Sequence, residues 1–462
     1  MNIDNAHITE LQALVVKVGK NTYPVFNFNL SLSVNAMPVG TIALSVASNP
    51  TIKIDDECSV VLKRNGSDFV LFSGYVSSVA VNTSTFVSHI ENYLLYTISS
   101  KSAAIDAIPP TAWVYLTNVT DTENLVVQGF TKVGKGALGQ TDTELERNKG
   151  ETNIPAIICN TINSLQGHIS QMTNPPDFIG KFIKGDNLRL NLQGTDRANR
   201  YINDRIVSLI EKSKQSYLDV IRTVCQEFYL TLVPSKKDNY LLRMRHVNPW
   251  RASKHTITWS DYTAISMTNI SLKGKEIDGI IMPYYDTTGA QVTTTGLFCF
   301  YGIKDQKSGA KLEIFDTKSA QAFYNQGVGS LRYKQISTPS WLAHGLGASS
   351  LRPAVQKIVK EHFLSYAYGT NQIMLNVPYA VYENLVDRIG DTVTVQTLAN
   401  NISTSNKKNT KDLKGILSGL NIDIRTVASR LSINCSATIS HAHEVDIEKQ
   451  LNIVSESGLY LE

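Results

Sequence analysis

The dipeptide Asn65-Gly66 constrains this chain most. Both residues tolerate positive φ, so together they make the two-residue turn whose twist suits a pair of antiparallel strands. Apolar runs flank it, Cys58–Leu62 before and Phe69–Phe72 after, and a turn of that length fixes their register. Lys63 then faces Asp68, Leu62 faces Phe69, Val61 faces Val70 and Val60 faces Leu71. Both faces of the hairpin carry apolar side chains, as in a strand pair covered on each side. The face with Leu62 and Phe69 is expected to fill a barrel, and the face with Val61 and Val70 to meet a neighbouring one. Ser73-Gly74-Tyr75 then interrupts the run, and alternation resumes through Val76, Val79 and Val81. A glycine inside a strand marks a bulge or bend, the device that curls a sheet.

The surrounding sequence extends this pattern. Leu11–Val18, Val25–Val34, Thr41–Ala47 and Phe86–Ile98 read as further strands, so residues 1–105 are expected to form a small all-β barrel or sandwich. Ile108-Pro109-Pro110 closes it, and 106–200 reads as an inserted mixed domain with a helix at Pro155–Leu165. Within 201–250, Ser216 caps a helix with Asp219 three residues on, and Leu218, Ile221, Val224 and Phe228 share one helical face. A hairpin around Ser235–Asn239 follows, and the helix is expected to pack on it. Strands return from Thr256, and residues 251–302 with 371–440 read as a second barrel interrupted by a mixed helical insertion at 303–370. Ala399–Asp412 is a polar loop. In the closing strands Leu420, Ile422 and Ile424 share one face, and Leu431, Ile433, Cys435, Ala437 and Ile439 share another. The tail, 441–462, is polar and is expected to dock on another subunit.

The two barrels echo one another. Ile389–Val395 followed by Gly415–Ile424 parallels Asp56–Leu62 followed by Val70–Val79, with Ser418-Gly419 set against Ser73-Gly74. The fold class is therefore mainly β with α+β insertions: two tube-like antiparallel β-barrels plus smaller mixed domains. A length of 462 residues accommodates such a division.

Composition narrows function more than it defines it. Charged residues make up only 18% of the chain, and Ser, Thr and Asn are plentiful, which suits a β-rich assembly protein. A net charge of +4 implies no stable polyanion partner. Five dispersed cysteines, Cys58, Cys159, Cys225, Cys299 and Cys435, form neither a disulfide framework nor a metal set. The first residues, MNIDNAHITE, do not read as a signal peptide, and no apolar run approaches the ~18 residues of a membrane span, so no stable membrane association is expected.

Chemical motifs are weak. Gly134-Lys-Gly-Ala-Leu-Gly139 spells G-x-G-x-x-G, but the following segment is too polar for the helix of a dinucleotide site, and no βαβ unit surrounds it. His441 and His443 alternate on one strand near Glu444 and Asp446. No third ligand is anchored, so the pair reads as surface histidines, with a structural metal at a symmetry axis as the other possibility. Nucleophile-elbow and zinc-protease motifs are absent. No catalytic, cofactor or metal residue is assigned, and no enzymatic activity is expected.

Several stretches, in order, carry a family resemblance: LFSGYVSSVAV at 71–81, SYLDVIRTVCQEFYLTLVP at 216–234, DRIGDTVTV at 387–395 and GILSGLNIDI at 415–424. This ordered set resembles the central hub proteins of bacteriophage tail baseplates and related contractile injection machines. Residues 103–200 and 303–370 carry no part of it. The resemblance implies a homotrimeric ring with two tube-like barrels per chain, so that three chains present six similar barrels. It implies a tail tube protein on one face, a central spike protein on the other, further baseplate proteins around them, and DNA only as transient cargo in the channel. The implied setting is the virion tail, assembled in the bacterial host cytoplasm. A different class, a carbohydrate- or receptor-binding tail protein using exposed aromatics, is the alternative.

Overall fold

The computed structural model describes residues 13–106, 152–169, 182–190, 201–209, 216–269, 279–303, 310–316, 333–337, 352–398, 410–446 and 460–461, apart from 65, 87–88, 186–188, 203–204, 207, 289–290, 370 and 428–429. The Gly134–Gly139 motif lies outside them. The fold is mainly β, with a few helices.

Seven strands occupy the first hundred residues: β1 (Ala13–Val18), β2 (Asn21–Pro24), β3 (Asn27–Ser33), β4 (Val39–Ser45), β5 (Glu57–Arg64), β6 (Ser67–Phe86) and β7 (His89–Ser99). They pair antiparallel in the order β3-β4-β7-β6-β5-β1-β2. At the corner after β2, the Val25 N–H donates to the Leu14 carbonyl of β1 and the Phe26 N–H to the Ala43 carbonyl of β4. That corner carries the chain from one end of the order to the other, so the unit closes on itself.

The hairpin has the expected register from Arg64–Ser67 to Val61–Val70. There it departs, because Leu71 is bulged and Val60 faces Phe72. The cause is tertiary. The Tyr240 hydroxyl donates to the Leu71 carbonyl, and its ring meets Phe72 edge-on at 5.0 Å. The expected division of faces is therefore corrected. Leu62 is core, but Phe69 is 44% exposed and Leu71 and Phe72 fill the interior instead, while Val61 is buried on the opposite face beside Val15. Gly74 is not the bulge. It faces Cys58 in register, and the irregularity falls between Val76 and Ser78.

The middle of the chain supplies β8 (Thr152–Asn153), α1 (Ile154–Ile169), β9 (Ile183–Gly185), β10 (Arg189–Leu190), α2 (Tyr217–Glu227), β11 (Leu230–Ser235) and β12 (Leu241–His246). Ser216 caps α2 as expected, its hydroxyl accepting from the Asp219 N–H. The buried α2 residues Leu218, Ile221 and Val224, with Phe228 at its C-terminal cap, share a core with Leu230, Leu232, Leu242 and Met244 of the β11–β12 hairpin.

Next come β13 (His255–Ile257), β14 (Ala264–Asn269), β15 (Gly279–Thr288), β16 (Gln291–Ile303), β17 (Ala310–Asp316), β18 (Tyr333–Gln335) and α3 (Arg352–Ala367). β15 and β16, expected in the second barrel, instead form a separate sheet, β17-β16-β15-β18. Ile280, Met282, Cys299 and Tyr301 of this sheet share a core with Val355, Ile358, Val359 and Phe363 of α3. Alternation marks these segments as strands but does not choose their partners.

The chain ends with β19 (Asn371–Val377), α4 (Tyr379–Val386), β20 (Thr392–Leu398), β21 (Thr410–Val427), β22 (Arg430–Glu444) and β23 (Tyr460–Leu461). The sequence reading did not foresee α4, which follows Pro378 and buries Tyr382, Leu385 and Val386. β23 pairs antiparallel with β10 of the same chain. The second unit pairs in the order β14-β19-β22-β21-β20-β13. Both units belong to one 13-stranded sheet, joined where β21 pairs with β3.

A candidate assembly surface

The two units repeat at the level of single residues. The antiparallel pairings β5·β6, β6·β7, β7·β4 and β4·β3 recur as β20·β21, β21·β22, β22·β19 and β19·β14. Glu57–Tyr75, Cys58–Gly74 and Val60–Phe72 correspond to Thr392–Ile416, Val393–Gly415 and Val395–Leu413. Val76 and Leu417 precede matching irregularities, and the bulged Ser77 and Ser418 each donate to a threonine carbonyl, Thr97 and Thr438, at 3.2 Å. The turn before each copy matches too. The Asp55 N–H donates to the Val76 carbonyl as the Gly390 N–H donates to the Leu417 carbonyl, and both turn residues have positive φ.

This geometry corrects the sequence echo. The structural counterpart of Gly74 is Gly415, four residues before Gly419. A Cβ on Gly74 would lie 2.1 Å from the Ser99 carbonyl oxygen, and one on Gly415 would lie 2.7 Å from that of Ser440. At both positions the strands approach too closely for any side chain. The signals that carry the repeat are Gly-x-aliphatic-Ser, at Gly74–Ser77 and Gly415–Ser418, and the tripeptide Thr-Ile-Ser, at 97–99 and 438–440. The units differ at one margin, since β1 pairs antiparallel with β5 while β13 pairs parallel with β20.

Within the chain the units meet edge to edge. Leu420, Ile422 and Ile424 of β21 face Leu32, Leu30 and Phe28 of β3, and all six are at most 1% exposed. The helix–hairpin unit holds this arrangement. On the first barrel, Leu232 and Asn35 exchange hydrogen bonds of 2.8 and 3.0 Å, and the Ser100 hydroxyl donates to the Tyr240 carbonyl. On the second, Arg245 donates to Asp391 at 2.9 Å, and Val233 lies against Gly390.

Among the described residues the opposite margins are uncovered. The counterparts of Leu420 and Ile422 on β6 are Val79 and Val81, which are 39% and 71% exposed. The counterparts of Phe28 and Leu30 on β14 are Ile265 and Met267, which are 39% and 58% exposed. The chain thus carries two unlike strand edges with exposed apolar side chains. On β3, β21 and β22 the residues that alternate with the core include the polar Asn29, Ser31, Asn421, Ser432 and Asn434.

Other candidates carry less. The outer face of β1, β5 and β6 has a shallow depression of about 410 Å³ lined by Lys17, Glu57, Ser59, Val61, Asp68 and Val70, with Lys17 paired to Asp68. His443 is not a surface residue. It is fully buried, stacks on Trp250 at 3.9 Å, and points Nδ1 at the His441 carbonyl, whereas His441 is exposed and has positive φ. The two imidazoles therefore do not form a joint ligand pair, and no group of three potential metal ligands occurs among the described residues. All five cysteines are free and buried, and burial raises the thiols of Cys58, Cys159, Cys299 and Cys435 to about 12. No described helix is long and apolar enough to cross a membrane.

No protein-family profile and no curated protein matches the sequence. Among solved structures, the chain is similar to the tail protein from Neisseria meningitidis MC58, at 10% identity and a TM-score of 0.48 over 93% of this chain and 97% of that one. It is similar to the 43 kDa tail protein of prophage MuSo2 from Shewanella oneidensis, at 10% identity and a TM-score of 0.46 over 92% and 98%. A third is the prophage tail protein gp18 from Listeria monocytogenes EGD-e, at 9% identity and 0.38 over 95% and 97%. All three of these solved structures, similar to this chain over more than nine-tenths of its length, are tail proteins.

Proposed function

We propose that this chain is a structural hub of a phage tail baseplate. Three copies form a ring that joins a six-fold tail tube to a three-fold central spike and surrounds part of the channel for genome delivery. The observation that carries this reading is the duplication: two strand units of matching register, joined edge to edge in one chain, with the two unlike edges that the internal junction uses left without a strand partner among the described residues at its ends. A trimer of such chains presents six similar barrels, which lets a three-fold object meet a six-fold one. The role is structural rather than catalytic. Its partners are other copies, the tube, the spike and neighbouring baseplate proteins, and DNA passes through the ring without stable binding. The uncharged polar side chains Asn29, Ser31, Asn421, Ser432 and Asn434 of β3, β21 and β22 suit a channel wall, because they offer a passing polyanion little to hold it. Co-expression with the tube and spike proteins, followed by imaging of the purified complex, tests this. Three copies between tube and spike are expected. A monomer that binds neither, or that binds glycans through exposed aromatics, would refute the proposal.

A further inference from the structure

The ring reading leaves open which surfaces join the copies, and the chain carries a template for the answer. Between Ser78 and Ser84 the β6 edge that faces away from β7 has no strand partner among the described residues. The same edge of β21, at Gly419–Arg425, is covered by β3. Among the described residues β14 pairs only with β19, whereas its counterpart β3 is paired on both edges. Two vacant edges therefore correspond to the two halves of a junction already made inside the chain.

We infer that β14 of one copy pairs antiparallel with β6 of the next, in the register that β3 and β21 use within the chain. Resting on the ring reading, this assigns the occupant of both edges to a second copy. Transferring the internal register places Met267 opposite Val81, Ser266 opposite Asn82 and Asn269 opposite Val79. The exposed pattern fits. Val79, Val81, Ile265 and Met267 occupy the positions whose counterparts are core, whereas Ser266, Thr268 and Asn82 occupy those whose counterparts are polar. A one-residue slip would turn the apolar side chains of the two strands to opposite faces, so alternation excludes odd slips, and the internal junction is the template that chooses among the even ones. The contact joins two different surfaces and is heterologous; it closes into a ring only if the rotation per copy divides a full turn.

Cysteine cross-linking tests the register. Directly opposed strand residues bring their Cβ atoms near enough for a disulfide, while positions displaced by two residues do not. One protein carries Val81→Cys and the other Met267→Cys; both sites are on the surface, and the five native cysteines are buried. Under mild oxidation the mixture should give a dimer of the two chains, and neither protein alone should. Combining both substitutions in one chain should give a ladder ending at three copies. The displaced pair, Val81→Cys with Ile265→Cys, should cross-link at least tenfold less. Native mass measurement of the unsubstituted protein separates the two claims. Oligomers without the Val81–Met267 link, or with equal linking of the displaced pair, overturn the register while leaving the ring. A monomer at every concentration overturns both.

Discussion

Substituting Gly74 by alanine should cost far more than the one methyl group it adds. The new carbon would lie 2.1 Å from the Ser99 carbonyl oxygen and 2.9 Å from its carbon, against roughly 3.5 Å for an unstrained contact. Overpacking usually costs about 1–3 kcal/mol, and here the wall is backbone, which cannot rotate aside. Relief requires opening the β6–β7 ladder where Tyr75 faces Ser99, so we expect at least about 3 kcal/mol on the scale of overpacked cores. Gly415→Ala meets the Ser440 carbonyl oxygen and the Ile439 Cγ2, both at 2.7 Å, and should cost about 2–3 kcal/mol. Gly66→Ala is the control. It has nothing within 4 Å but a φ of +74°, so it should cost only the left-handed penalty, about 1 kcal/mol. Urea unfolding of the three variants, followed by circular dichroism, gives the order. A cost for Gly74→Ala no greater than that for Gly66→Ala would refute the close-approach argument.

The duplication makes paired predictions. Ile422→Ala should lower monomer stability by about 2–5 kcal/mol, because it empties a core position at the internal junction, whereas Val81→Ala should leave the unfolding midpoint nearly unchanged and weaken self-association. Equal destabilisation by both in urea titration would contradict the assignment of edges. Ser216→Ala removes the cap of α2 and should cost about 1 kcal/mol, read from the thermal unfolding of that variant. Thiol titration of the native protein at pH 8 should find none of the five cysteines reactive, since they are buried and four have thiols raised to about 12; all five should react in denaturant.

What the sequence made legible was local. The Asn65-Gly66 turn sets the register from Arg64–Ser67 to Val61–Val70, because turn chemistry acts over neighbouring residues. The cap at Ser216 and the alternation of Leu420, Ile422 and Ile424 were readable for the same reason. The Leu71 bulge was not, since it depends on Tyr240, far along the chain. Nor could alternation reveal that β15 and β16 join β17 and β18 rather than the second barrel. The repeat was visible but misaligned. Ser-Gly at 418–419 drew the comparison away from Gly-x-aliphatic-Ser at 415–418, and only the ladder register distinguishes the two. The uncovered edges had no separate sequence signal, because Val81 and Met267 read like any other inward strand residues.

The ring itself is the central claim, and native mass measurement of the purified chain tests it most directly. The account predicts a species of three times 51.0 kDa, lost when Val81 or Met267 is replaced by lysine. A monomer, or an oligomer indifferent to both substitutions, would contradict it.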